Sequence, residues 1–311
     1  MKRRAFLGAC AAAALPAQTE KNTAELLGRS AQDKLLMVHA DDAGMCHSAN
    51  LATMEALGSG GVQSASVMAP CPWFGEMAEW ARQHPEADLG IHLTLTSEWK
   101  HYRWPPVAPK DKVKGLLDAE GCLWRDVRSV ATNATPAEAE TELRAQIERA
   151  RQFGVKFTHL DTHMGTLYAR PDYFDVYTKL AREYGVPCMV PRPTVDLALQ
   201  GYPITEAMIR ARQSAGFVLL DRLATGVSGR TIAERDESYR KFLRELKPGV
   251  TKLIVHLAKD DAEIRAITGN WAQRWGDFQF WNGAESRRLM AELKIRPVTY
   301  RELGSIAYRT A

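Results

Sequence analysis

The stretch Leu35-Leu36-Met37-Val38-His39-Ala40-Asp41-Asp42-Ala43-Gly44 constrains the fold of this chain more than any other. An apolar run of strand length stops at two adjacent carboxylates, a small residue and a glycine, the pattern of a strand that leaves a core and turns at its carboxyl end. Ligands of α/β folds bind at that end. Side chains alternate along a strand, so Asp41 and Asp42 cannot project the same way unless the chain has already begun to turn, and they suit different tasks. Taken alone, the pair would also serve to cap the helix that starts near His47-Ser48.

Apolar runs and helical patterns then alternate through the chain. Helix-like Asn50–Leu57 precedes strand-like Gln63–Ala69, and a helix over Trp73–Arg82 must stop before Pro85. The strand Leu89–Leu95, the helix Pro136–Phe153, the strand Lys156–Leu160, the helix Asp172–Tyr184 and the strand Pro187–Val190 follow, and the strands Lys252–Leu257 and Ile295–Tyr300 close the series. Regular βα alternation implies parallel strands with right-handed crossovers, and this length favours a barrel over an open sheet. The expectation is a single α/β domain over residues 21–311, a distorted (β/α) TIM-like barrel with no linker or repeat to divide it.

Residues 1–20 read as a leader rather than as fold. Lys2-Arg3-Arg4 precedes a short alanine-rich apolar segment, and Leu15-Pro16-Ala17 offers a small-residue cleavage site. The segment is too short to span a bilayer. Arg3-Arg4-Ala5-Phe6-Leu7 also resembles a twin-arginine signal, which carries folded proteins outward, so a periplasmic or extracellular location is expected. Cys10, after Leu7-Gly8-Ala9, invites a lipoprotein reading that the shortness of the apolar segment opposes. Cleavage after Ala17 removes Lys2, Arg3 and Arg4 from the 41 basic residues, leaving 38 against 37 acidic ones. A nucleic-acid partner is therefore not expected. Cys46, Cys71, Cys122 and Cys188 show no zinc-knuckle spacing and require no disulfide.

The chemistry lies where the strands end. His92 sits in an alternating run after Gly90, His159 and His163 bracket Leu160-Asp161-Thr162, and His256 falls within an apolar strand. A single strand histidine is usually a hydrogen-bonded core residue. Asp-Asp, Gly-x-His and His-x-Asp-x-His at successive strand ends are harder to assign to packing, because a parallel barrel gathers those ends around one pocket. One carboxylate and two imidazoles form a facial ligand set for a divalent ion, with positions left open for water and substrate.

Val38-His39-Ala40-Asp41-Asp42-Ala43-Gly44, Gly90-Ile91-His92-Leu93-Thr94-Leu95-Thr96, Thr158-His159-Leu160-Asp161-Thr162-His163 and Val255-His256 together resemble, in order and spacing, the motifs of the YdjC-like carbohydrate deacetylase family, which includes the chitooligosaccharide deacetylases. The resemblance runs from about Lys34 to Leu303. It implies a distorted (β/α) barrel, one divalent ion (magnesium or zinc), a carbohydrate substrate, and removal of acetyl groups from N-acetylated sugars. It further implies Asp42, His92 and His163 as metal ligands, Asp41 as base, and His256 as an acid or oxyanion partner. The family usually has an aromatic residue where Ala43 stands and further histidines where this chain reads Met164-Gly165-Thr166, so the sugar subsite is expected to differ.

An ion held by Asp42, His92 and His163 would acidify a water and polarise an amide carbonyl, with Asp41 taking the water's proton and His256 protonating the leaving amine. Asp161 reads as a group orienting a ligand imidazole, or as a turn stabiliser. His39 and His159 carry no assignment, and His47 suits the start of a helix. For the substrate, Trp99 and Trp104 in a proline-rich loop are candidate sugar platforms, and Arg192 between two prolines is a candidate contact to substrate or Asp41. Trp271 and Trp275, four residues apart, better suit helix packing. The alternatives are a metal-dependent phosphoesterase or cyclic amidase, which the lack of a glycine-rich phosphate loop disfavours for the former, and a carbohydrate-binding barrel without catalysis, for which two carboxylates would be superfluous.

Overall fold

The computed structural model describes residues 20–193 and 201–308. Residues 1–19, which hold Arg3, Arg4 and Cys10 and on which the leader expectation rests, lie outside them. Seven parallel strands form one curled sheet: β1 (Lys34–Ala43), β2 (Ser64–Val67), β3 (Leu89–Leu93), β4 (Leu160–Thr162), β5 (Arg222–Ala224), β6 (Gly249–His256) and β7 (Ile295–Pro297). Their order is β4-β3-β2-β1-β6-β5, with β7 also on β1.

β1 is the axis of this sheet because it pairs with three strands. Along one edge it follows β6 from Lys34↔Gly249 to Asp41↔His256. The other edge is shared, with β7 against Lys34–Leu36 and β2 from His39 onward. A strand so surrounded must be apolar on both faces, which is why its first half reads as an unbroken apolar run. Beyond β4 the ladder continues through single bridges: Leu160 pairs with Cys188, and Pro191 with Leu220, just ahead of β5. The ring thus returns to β6 as a distorted (β/α) barrel, as expected, with the 187–191 segment standing in for a full strand.

Helices cover the outside of the sheet. Pro136–Gln152 starts at a capping box between Thr135 and Glu138, with proline in its first turn. The next crossover helix is Pro171–Glu183, and Trp271–Asn282 follows β6. Strand bounds differ from expectation in two further places. The 295–300 run is strand only to Pro297, and Tyr300 opens a short helix. The 156–160 run is mostly approach, with Thr158 N donating to Leu89 O, and β4 itself is Leu160–Thr162, in register with Ile91–Leu93 of β3. No helix among the described residues is long and apolar enough to cross a membrane.

Candidate active site

Asp42 departs from strand geometry. Its φ is +66°, and the β1–β2 register slips between Ala40 and Ala43, a bulge that lets consecutive carboxylates face the same pocket. Aspartate is among the few residues that adopt this left-handed conformation readily. Gly44 follows at φ +83°, where a Cβ would come within 2.9 Å of Val67, and its N–H donates to Asn50 Oδ1 at 2.6 Å. The pair is therefore directed inward by the turn that the glycine completes.

Three buried atoms converge beyond that bulge. Asp42 Oδ1 lies 3.2 Å from His163 Nδ1 and 3.5 Å from His92 Nε2, and the two nitrogens are 3.3 Å apart. A tetrahedral ion with ligands at about 2.1 Å separates them by roughly 3.4 Å, so the triangle has the dimensions of a metal site. Asp42 Oδ1 is buried without a hydrogen-bond partner, which a cation would supply. The far nitrogen of each imidazole is engaged, His92 Nδ1 with Ser66 Oγ at 3.0 Å and His163 Nε2 with Glu98 Oε2 at 3.1 Å. Such partners fix ring orientation and leave the inner nitrogen free to ligate. The donor set of Asp42, His92 and His163 therefore fits a divalent ion.

Charge reinforces the geometry. Burial would raise Asp42's pKa, but Arg274, at 2.7 Å from Oδ2, together with His163 and His92 holds it well below the usual carboxylate range. For His163, burial disfavours the charged form, yet the Glu98 and Asp42 carboxylates raise its pKa to about 10. Neither Glu98 nor Arg274 stands out in the sequence. Glu98 lies just past the Gly-x-His strand, and Arg274 is hidden among the tryptophans of its helix.

Asp41 lies beside the triangle, its Oδ2 3.8 Å from His92 Nε2 and its Oδ1 3.2 Å from His39 Nε2. His39 also reaches Asp161 at 3.1 Å, and Asp161 is paired with the fully buried Lys252. Asp161 thus meets Lys252 and His39 rather than a ring of the triangle. Burial raises the pKa of Asp41, but the charges of His92 and Lys252 and the His39 hydrogen bond leave it lowered, and the carboxylate ionised. Lys252→Met is expected to destabilise the fold by about 3–5 kcal/mol, because Asp161 would keep a buried charge with its cation removed. Urea unfolding of the variant measures this.

His256, at the end of β6, projects into the same cavity with Nε2 3.8 Å from Asp42 Oδ2. Its side chain is 41% exposed, and loss of hydration on the cavity wall and the Arg274 charge hold its pKa below normal despite Asp42. His159, by contrast, is packed: it stacks on Tyr300 at 3.9 Å, and a Cβ on Gly90 would come within 2.3 Å of its Nε2. The glycine of Gly-x-His exists to admit that ring. His47 opens its helix and contacts Glu76 at 2.8 Å.

A cavity of about 620 Å³ opens over Asp41, Asp42, His92, His163 and His256, within the range of small-molecule sites. Trp99 lines it, with Arg274 against its ring at 5.7 Å. Trp104 does not. It is 1% exposed and donates from Nε1 to Thr96 O, so the sugar-platform expectation is corrected to a core role. Arg192 likewise turns away from the cavity, pairing with Asp221 at 2.6 Å and Glu20 at 3.0 Å, an internal tether rather than a contact to Asp41. Trp271 and Trp275 pack against Arg265 and Phe278.

The chain is 32% identical over 270 residues to a carbohydrate deacetylase of Thermus thermophilus, covering 86% of this chain and 93% of that protein. A carbohydrate deacetylase of Brevibacillus brevis is 29% identical over 270 residues, covering 86% and 99%. In fold, the chain is similar to a candidate cellobiose-phosphate cleavage protein from Enterococcus faecalis, with a TM-score of 0.73 at 24% identity over 87% of this chain and 99% of that one. The sequence profile of the YdjC-like protein family matches residues 35–292, and the chain belongs to that family.

Proposed function

We propose that this protein is a carbohydrate deacetylase that hydrolyses the acetamide of N-acetylated sugars with one divalent ion held by Asp42, His92 and His163. The observation that carries the reading is the triangle of Asp42 Oδ1, His92 Nε2 and His163 Nδ1, with edges of 3.2–3.5 Å, beneath an open cavity and beside a second ionised carboxylate. The names of its relatives agree with it. A divalent ion bound there supplies a Lewis acid that acidifies water and polarises the amide carbonyl.

The chain's own groups do the rest. Asp41, whose Oδ1 lies 3.2 Å from His39 Nε2, has Oδ2 on the His92 side, where it can take a proton from the attacking water. The C–N bond then breaks, giving acetate and an amine. Asp41 returns that proton to the leaving nitrogen, while His256, its pKa held below normal by burial and Arg274, stays neutral and donates an N–H to the carbonyl oxygen as it gains charge. Trp99 offers a ring face to the apolar side of a pyranose. A phosphoesterase reading is weakened by Arg274, a cation on the cavity wall that is already committed to Asp42.

The test is acetate release from N-acetylglucosamine and its oligomers. Activity should vanish with chelator and return with a divalent salt. Metal-loaded protein that releases no acetate from any of these sugars leaves the carbohydrate-binding alternative in its place.

We also propose export of the folded chain, motivated by Arg3-Arg4 ahead of a weakly apolar segment. Replacing both arginines by lysine should leave an unprocessed precursor in the cytoplasm. Normal processing of that variant, seen by immunoblot of cell fractions, points to the general secretory route instead.

A further inference from the structure

The cavity has two walls of opposite character. The catalytic groups stand on the ends of β1, β3, β4 and β6. Beside them, Met189, Leu223 and Ile254 line the cavity with apolar side chains, and Met164, Tyr168 and Tyr202 line it as well. Part of this wall lies deep. Ile254 precedes His256 by two residues on the inward face of β6, and Leu223 stands in register with Lys252, a further layer from the strand ends. Met189 reaches the same depth, its Sδ 3.5 Å from Lys252 Nζ. Gly165 closes the outer part: a Cβ there would fall 2.0 Å from the Tyr202 hydroxyl, so the glycine allows that ring to lie over the cavity.

On the other side of His256 lies a smaller chamber of about 290 Å³, where Thr225, Asn270, Gln273, Arg274 and Asp277 present polar groups. Thr225, Ile254, His256, Asn270 and Arg274 line both spaces. A sugar amide has the same division. Its amine carries a hydroxylated ring, and its carbonyl carries an alkyl group. Matching polarity directs the ring to the mouth and the polar chamber, and the acyl group to the deep apolar wall. The methyl of an acetyl group covers only a fraction of the buried Met189 and Ile254 and the half-buried Leu223.

We propose, resting on the deacetylase reading, that Met189, Leu223 and Ile254 form an acyl pocket and that the substrates include sugars N-acylated with chains longer than acetyl. Water adds to the carbonyl carbon, the C–N bond breaks, the acyl group leaves as its carboxylate, and the amine takes up the proton. Each added methylene is buried against that wall until the pocket is full, so kcat/KM should rise roughly fourfold per methylene, the equivalent of about 0.8 kcal/mol.

The experiment compares N-acetyl-, N-propionyl- and N-butyrylglucosamine as substrates of the metal-loaded protein. The expected result is a butyryl-to-acetyl ratio of kcat/KM above one, reversed to below one by Leu223→Phe, which fills the pocket. A ratio is independent of how much of a variant is folded. A wild-type ratio below one overturns the acyl pocket while acetate release still upholds the deacetylase reading. Should no acyl group be released from any of the three, that reading fails, and calorimetric binding decides the pocket separately. Tighter binding of N-butyryl- than N-acetylglucosamine upholds it, and equal or weaker binding overturns it.

Discussion

Asp41→Asn is expected to bind metal almost normally and to release acetate roughly a hundredfold or more slowly, the loss typical of a missing general base. The amide is nearly the size of the carboxylate it replaces, so the local packing beside His39 should persist. What it cannot do is take a proton. Asp42→Asn should behave in the opposite way. It removes a ligand charge and also leaves Arg274, 2.7 Å away, as an unpaired buried cation beside the ion. Metal affinity should fall steeply, with activity partly restored at high metal concentration. Titration of metal against acetate release distinguishes the two. If Asp41→Asn is the variant rescued by metal, base and ligand are exchanged.

A second large effect concerns the imidazoles. His92→Ala and His163→Ala should each strip most of the bound ion, while His256→Ala should retain it, because His256 meets Asp42 only at 3.8 Å and on the oxygen turned toward Arg274. Metal analysis of the three purified variants gives the answer, and full stoichiometry in both of the first two rules out this ligand set. A pH dependence follows. In the ion-free protein His163 holds its proton up to a pKa of about 10, so an ion must displace that proton. Apparent affinity should therefore climb about tenfold per pH unit from pH 6.5 to 8.5, with one proton released per ion. A flat profile would mean that His163 binds no metal.

Much of this site was legible in the sequence, because Asp41, Asp42, His92, His163 and His256 lie at strand ends and a parallel barrel brings strand ends together. The barrel itself followed from alternation, which survives in short segments. The groups that went unread act across long sequence separations. Arg274 meets Asp42 from a helix 232 residues away, and its neighbours Trp271 and Trp275 drew attention to aromatic packing instead. Lys252 stands within the otherwise apolar β6, on the same face as Ile254 and His256, and a lone inward lysine is the available sign of a buried acidic partner. Asp161, read as support for an imidazole, belongs to that deeper pair. At Trp104 and Arg192 a proline-rich setting marks a loop but does not say which way a side chain turns. β5, three half-exposed residues long, has too little pattern to be seen.

The Arg192 tether bears on maturation. Its guanidinium holds Glu20 and the Lys21 carbonyl, Thr23 N–H donates to Asp221 at 2.9 Å, and Asn22 caps the short helix behind them. From Glu20 onward the backbone is thus fastened to the barrel, only three residues past the small-residue site ending at Ala17. A peptidase needs several residues in extended form on both sides of the bond it cuts. If the chain is exported folded and then processed, as proposed above, the tether would act as a stop that sets how far into the sequence trimming can proceed, and the position of the new terminus would depend on the fold as well as on the composition of residues 1–17.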